Sequence, residues 1–264
     1  MKDSTASRVP AVLRSLQILE LLAGEKKRWT TMEVSRKLKI PKSTTSYLLH
    51  TLLARGYLVR EQEGVYRLGM KLLALGGQAL RGTEVREVAL PILRRLTAET
   101  QTTAHLAVLE GGEAVYIERV PSPGFIQIDT WVGRRMPLHS TSVGKALAAF
   151  LPQEEAESLF QTAGLPRFTP RTITTLPRLR QELRRIRETG VAIDNEENTP
   201  GVRCVAAPIF GSSGRVVAAL SLTGPVQQIT EERVGKIVEK VKEAARQLSQ
   251  TLGGHPPAVA SKNP

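Results

Sequence analysis

The chain is short of cysteine, of aromatic residues, of acidic residues and of long apolar runs. Each shortage removes a class of protein. One cysteine, Cys204, among 264 residues excludes an intrachain disulfide framework and suits a reducing, cytoplasmic setting. Aromatic residues make up 4%, too few for the stacking platforms that grip single-stranded nucleic acid. No apolar run approaches the ~18 residues of a membrane span. Residues 1–10 are polar and lack the apolar stretch of a signal peptide. The four histidines, at 50, 105, 139 and 255, show no metal-ligand spacing with one another or with Cys204, so neither metal nor other cofactor is expected.

Positive charge is plentiful. Thirty-seven Lys and Arg face 25 Asp and Glu, a formal net charge of +12. Such a balance points to a polyanionic partner without separating nucleic acid from an anionic membrane. Residues 1–80 hold 14 of the basic and 6 of the acidic groups, so most of the excess lies in the first third. A length of 264 residues suggests about two domains at ~150 residues each. The asymmetry makes the first of them the basic one.

Residues 11–23 (AVLRSLQILELLA) form an apolar helix with only Arg14, Gln17 and Glu20 as a polar stripe. A helix so apolar is buried on more than one side, against the local core and against a second helix or subunit. Thr30 and Glu33 have capping-box spacing at the start of a second helix, 31–39, with Val34, Leu38 and Met32 facing inward. Ile40-Pro41 breaks the chain, and Pro41 suits the first turn of a third helix running to Ala54. There Thr45, Leu48, Leu49, Leu52 and Leu53 share one face. The other presents Lys42, Ser43, Thr44, Ser46, Tyr47 and His50, slender hydrogen-bonding groups of the kind that enter a DNA major groove. Residues 57–60 and 65–68 read as short strands joined by EQEG, a wing that offers Arg60 and Arg67 to phosphates. The order helix, turn, helix, hairpin predicts a winged helix-turn-helix over residues 9–70.

Residues 66–80 read as a helix-like bridge interrupted by Gly76-Gly77, either a helix end or a hinge; the linker proper is 71–82. A further helix spans 83–100. Beyond it the pattern turns to strands: a hairpin around Gly111-Gly112, a strand at 125–130, and strands at 190–194, 203–210 and 215–222. Helices at 142–151, 153–160, 176–189 and 230–252 surround them. Hairpins with segregated helices predict an α+β domain over 83–252 with a mainly antiparallel sheet. Residues 253–264 read as a disordered tail.

Many of these segments resemble the IclR family of bacterial transcriptional regulators. They include LRSLQILELLA, PKSTTSYLLHTLLARGYLVR, YRLGMKLLALG, VGRRMPLHSTSVGKALAAFLP, GVAIDNEENTPGVRCVAAPIF and GRVVAALSLTGP. The resemblance covers about 9–253. It implies a winged-helix reader of double-stranded operator DNA joined by a linker helix to a GAF- or PAS-like domain that binds a small-molecule effector. It also implies a homodimer or homotetramer with no membrane partner. One departure stands out: Tyr47 occupies a position where many relatives carry Arg or another long polar residue, and it lacks the bidentate fork that suits guanine.

Small and polar groups set in apolar surroundings mark the expected effector site. Ser142 and Val143 open a helix, where free N–H groups favour an anion. Asp194, Cys204, Ser221 and Thr223 lie on strands, and the last two share a sheet face. Matching positions in relatives bind small organic acids or other metabolites, with Met136 and Leu138 as an apolar wall. Taken alone, Cys204 reads as a small buried hydrophobe, Asp194 as a turn residue, and Ser221 and Thr223 as partners for neighbouring backbone. Two other functions stay open at this level: an enzyme with Cys204 as nucleophile, paired with His105 or His139, and a winged-helix architectural protein without effector.

Overall fold

The computed structural model describes residues 9–24, 26–79, 84–124 and 128–255. It divides into two compact units, Met1–Gly82 and Thr83–Pro264.

In the first unit, helix α1 (Pro10–Ala23) buries Ile18 and Leu22 against α2 (Thr31–Leu38) and α3 (Lys42–Ala54). Only one face of α1 is used in this way. Val12, Leu13 and Leu16 stay exposed, so among the described residues of this unit no second partner covers the rest of the apolar surface. The capping box of α2 is formed: Thr30 Oγ1 accepts from Glu33 N, and Thr30 N donates to Glu33 Oε2 at 2.8 Å. Val34 is buried, but Met32 is 55% exposed and does not face inward. It falls in the first turn of a short helix, on the side away from Val34. Lys39 at φ 54° closes α2, and Thr45 Oγ1 bonds back to Pro41 O at 3.1 Å at the start of α3.

The wing has three strands, not two. β2 (Leu58–Arg60) and β3 (Val65–Leu68) are joined through a 3-10 turn at Gln62–Gly64. The pair Trp29–Thr30, β1, adds to the free edge of β3, an edge that a hairpin alone would leave open. Tyr66 therefore belongs to a strand, and the bridging helix α4 begins only at Met70. It runs unbroken through Gly76-Gly77 to Ala79, so the double glycine does not interrupt it. Gly69, just before it, lies so close to the chain at Gly56 that a Cβ would fall 2.3 Å from Gly56 O.

The second unit is a six-stranded antiparallel sheet of order β6-β5-β4-β9-β8-β7. β4 (Thr103–Glu110) and β5 (Glu113–Val120) form a hairpin whose turn places Gly111 and Gly112 at φ 60° and 83°, a conformation that glycine adopts without strain. β6 is Arg135–Met136, β7 Ala192–Asn195, β8 Val202–Phe210 and β9 Val216–Pro225. Of the strand expected at 125–130, residues 125–127 lie outside the described residues. Ile128–Thr130 are not in a strand; β6 takes the edge position beside β5.

Alternation along the strands separates two faces. Leu106, Val205, Ile209, Leu220 and Leu222 pack under α5 (Glu84–Thr100) and α9 (Glu231–Thr251). Each such side chain contributes about 1.5–3 kcal/mol on full burial. The other face carries Ala107, Ala192, Ala206 and Ala219 beneath α6 (Ser142–Ala148), α7 (Gln153–Ala163) and α8 (Leu176–Thr189). α6 stops at Ala148, three residues short of the expected end. The expected tail is structured at its start: Gly253 bridges Gly211, and Gly254 N donates to Ser249 O at 2.7 Å. Residues 256–264 lie outside the described residues.

Candidate functional site

The exposed side of α3 is a continuous strip of Ser43, Ser46, Tyr47 and His50, extended by Thr51 and Arg55. Lys42 is exposed at its start, Thr44 is half-buried, and Tyr47 is 80% exposed. Pro41 and the buried Thr45, Leu49 and Leu52 fix the helix from behind, so the strip stands clear without loss of core. The two wing arginines differ. Arg60 lies over the Tyr66 ring at 5.9 Å. Arg67 Nε donates to Glu61 Oε1 at 2.7 Å, and Glu61 also pairs with Arg28, so part of the wing's positive charge is already offset.

In the second unit, strand register brings distant residues into one line. Asp194 pairs with Cys204, Cys204 with Thr223, and Thr223 with Thr103. Residues directly opposite in register point to the same face, so these four form a row. One step along, Ala192, Ala206, Ser221 and His105 form the next. Ser142, Val143, Asp194, Ser221 and Thr223 are all buried. Met136, Leu138 and Val143 join Tyr116, Ala206 and Ala219 in one apolar cluster beside the rows. Thr141 caps α6 through Gly144 N at 3.1 Å. A Cβ at Gly144 would sit 2.5 Å from Leu138 Cα, so only glycine lets the helix start approach this close.

The site is poor in free charge. Burial pushes the Asp194 carboxyl up to about 7, although Glu197 N donates to its Oδ1 at 2.7 Å. Burial, with the adjacent Asp194 carboxylate, also pushes the Cys204 thiol up. A raised thiol stays protonated and is a weak nucleophile. His105 bonds to Thr130 and Thr223, and His139 to Pro166 O, so neither forms a dyad with Cys204. The Ser221 hydroxyl is buried and has no hydrogen-bond partner among the described residues. A buried hydroxyl left unpaired costs about 1–3 kcal/mol, which a bound ligand or water would recover.

Sequence reasoning missed the groups that hold this site. Lys145, on α6, is wholly buried and donates to Glu197 Oε1 at 2.5 Å, Ile193 O at 2.7 Å and Glu182 Oε1 at 3.2 Å. Thr169 and Thr172 hydroxyls bond the carbonyls of Glu196 and Glu197. Together they pin the end of β7, which carries Asp194, and the residues just after it. The signal in the sequence was a lone lysine in an otherwise small and apolar run, 140–150, and an acid three residues after Asp194. His105, stacked on Tyr116 at 4.4 Å, was legible only as a polar residue in phase with Thr103 on β4.

A DNA-reading unit followed by a buried polar site on an antiparallel sheet defines a ligand-responsive regulator. Residues 11–62 match the IclR helix-turn-helix domain, and residues 77–250 match the C-terminal domain of the bacterial transcriptional regulator IclR. The chain is 36% identical over 246 residues to the HTH-type transcriptional regulator XynR of Escherichia coli K12, covering 93% of this chain and 98% of that one. It is 35% identical to KdgR of the same strain, covering 96% of each. Among solved structures, IclR of Thermotoga maritima matches with a TM-score of 0.77 at 32% identity, covering 92% of this chain and 98% of that one. An IclR homologue from Microbacterium hydrocarbonoxydans, solved in complex with 4-hydroxybenzoate, matches with a TM-score of 0.78 at 30% identity and the same coverage. The chain belongs to the IclR family of bacterial transcriptional regulators. It is a DNA-binding regulator with a C-terminal effector-binding domain. Its relatives named here are regulators, not enzymes, and no helix among the described residues is long and apolar enough to cross a membrane.

Proposed function

We propose that the chain reads double-stranded operator DNA through Lys42, Ser43, Thr44, Ser46, Tyr47 and His50, with Arg60 and Arg67 on phosphates. In the same reading, a small organic acid or related metabolite binds between Met136, Leu138, Ser142 and Val143 on one side and Asp194, Cys204, Ser221 and Thr223 on the other. The observation that carries the effector half is the shared register of Asp194, Cys204 and Thr223, next to a buried Ser221 hydroxyl without a partner among the described residues. The complex of the Microbacterium relative with 4-hydroxybenzoate supports a carboxylic acid as the ligand class. A near-neutral Asp194 fits that class, because a protonated carboxyl donates to an acid that its ionised form would repel. Residues 9–70 serve as the reader, 71–82 as the linker and 83–252 as the sensor.

The exposed apolar residues of α1 support a homodimer, or a homotetramer built from it, in the cytoplasm. Effector and DNA then act on one equilibrium: a ligand that favours one arrangement of the subunits changes DNA affinity by its preference for that arrangement. The test is a thermal-shift screen of the full chain against aromatic and short-chain carboxylic acids, followed by footprinting on the DNA upstream of its own gene. An acid that raises the melting temperature and alters the footprint is the expected outcome. No protected site, with or without acids, would refute the proposal.

A further inference from the structure

His105 sits inside the second unit between two hydroxyls. Its Nε2 lies 2.8 Å from Thr130 Oγ1, and its Nδ1 lies 3.5 Å from Thr223 Oγ1. Arg119, its cross-strand partner on β5, donates from Nε to the same Thr130 Oγ1 at 3.0 Å and from Nη2 to Ile128 O at 3.3 Å. We propose that His105 is a positioning residue whose tautomer turns the Thr223 hydroxyl into a donor, so that this end of the site selects a ligand with an acceptor oxygen. The proposal rests on the effector-site reading above and adds the direction of its hydrogen bonds.

The direction follows from counting protons and comparing distances. A guanidinium only donates, so Thr130 must accept from Arg119 and has one hydrogen left to give. Among the described residues two acceptors are in reach: His105 Nε2 at 2.8 Å and Ile128 O at 3.4 Å. Ile128 O already receives Arg119 Nη2, and the imidazole is the nearer of the two. Counting alone admits either tautomer, since a hydroxyl can accept twice; the shorter separation, 2.8 Å against 3.4 Å, is what assigns the Thr130 proton to Nε2. Burial, reinforced by the Arg119 charge, holds the imidazole neutral, lowered to about 3, so the ring carries one proton and it resides on Nδ1. Nδ1–H then donates to Thr223 Oγ1, and the Thr223 hydrogen points onward, to the Cys204 thiol or to a ligand. The reverse tautomer would make Thr223 donate to His105 and offer the ligand only lone pairs. One proton on one ring thus sets whether Thr223 presents a donor or an acceptor to the site. Ser221, opposite His105 in the register, adds a buried hydroxyl without a hydrogen-bond partner among the described residues.

The molecule contains its own control. His139 is the other histidine with a defined buried contact, and its Nε2 lies 3.0 Å from Pro166 O, an acceptor only. Neutral His139 must carry its proton on Nε2, the opposite tautomer. The experiment is nitrogen-detected NMR of the full chain labelled with 15N-histidine. Substitution of the exposed His50 and His255 by Gln removes the other two signals. The expected spectrum shows two neutral, non-exchanging imidazoles at pH 7, one protonated on Nδ1 and one on Nε2. Two Nε2–H rings, or a charged ring at 105, would overturn the proposal. In Thr130→Val the Nδ1–H signature should collapse toward an average of both tautomers, while that of His139 stays put. An unchanged His105 in that variant would mean that Thr130 does not set the proton, and the relay would fall. Both readouts need no ligand, so they separate failure of the relay from failure of the effector reading, which the acid screen decides.

Discussion

Lys145 Nζ lies 2.5 Å from Glu197 Oε1, and its side chain is cut off from solvent. The pair ties α6 to the segment that follows β7, the strand that carries Asp194. Removing one partner leaves the other charge buried and uncompensated, which typically costs 3–5 kcal/mol. Lys145→Met should therefore lower the unfolding free energy by about that amount. The double variant Lys145→Met/Glu197→Gln should recover a large part of it. A urea-denaturation double-mutant cycle measures the coupling, and additive losses would contradict a direct pair.

Stability against pH should show two opposing slopes. Asp194, raised from 3.8 to about 7, keeps a proton in the folded chain that the unfolded chain releases. Its contribution is full below about pH 4 and is lost as pH rises through 7. His105, lowered from 6.5 to about 3, does the reverse: its contribution is full above about pH 6.5 and is lost as pH falls toward 3. Each slope is at most about 1.4 kcal/mol per pH unit. Asp194→Asn removes the first alone, so the variant should gain stability relative to the parent as pH rises from 4 to 7. Melting temperatures at half-unit intervals give the difference; a constant gap would rule it out.

Tyr47 tests the reading strip. With 80% of its surface exposed, Tyr47→Ala should leave the melting temperature unchanged. On the proposed role it weakens operator binding by about 1–3 kcal/mol while hardly changing binding to unrelated DNA. Competition gel shifts with both DNAs decide it, and equal losses on the two would remove Tyr47 from base reading. Ser46→Ala should follow the same pattern with a smaller loss.

Arg60 and Arg67 should prove unequal. Arg60→Gln should reduce the slope of log K against log salt by about 1, the value for one phosphate contact. Arg67→Gln should reduce it less, because Glu61 already offsets that charge. Glu61→Gln should raise affinity for any DNA sequence. Salt titrations of the three variants on one duplex give the comparison, and equal slopes for Arg60→Gln and Arg67→Gln would argue against the offset.

The elements with strong periodicity were legible in the sequence. The α2 capping box, the face of α3, the glycine hairpin after β4 and helix α8 from 176 to 189 all follow from local patterns. What escaped depends on pairing partners far along the chain. β1 is two residues long and is a strand only because the edge of β3 is there to receive it. β6 likewise exists only against β5. Gly76-Gly77 reads as a break by propensity, yet the helix continues through it. The effector candidates could be placed on strands, but not in one line, because register between β7, β8 and β9 is a tertiary property. Lys145 stood out in the sequence only as a lone lysine in an apolar run, and neither its partners nor the proton order around His105 could be read there, for the same reason.

The central ladder of the second unit joins β4 to β9, Thr103 to Thr223, across most of that domain's length. During synthesis the winged helix leaves the ribosome complete, while the row that holds Thr223 cannot close until its last strand has emerged. At 5–20 residues per second that delay after the wing is roughly 8–30 s. For that interval the residues of the winged helix have been made and the sheet that carries Thr223 is incomplete. Premature termination between the two would produce a chain with the winged-helix sequence but without the strand that holds Thr223.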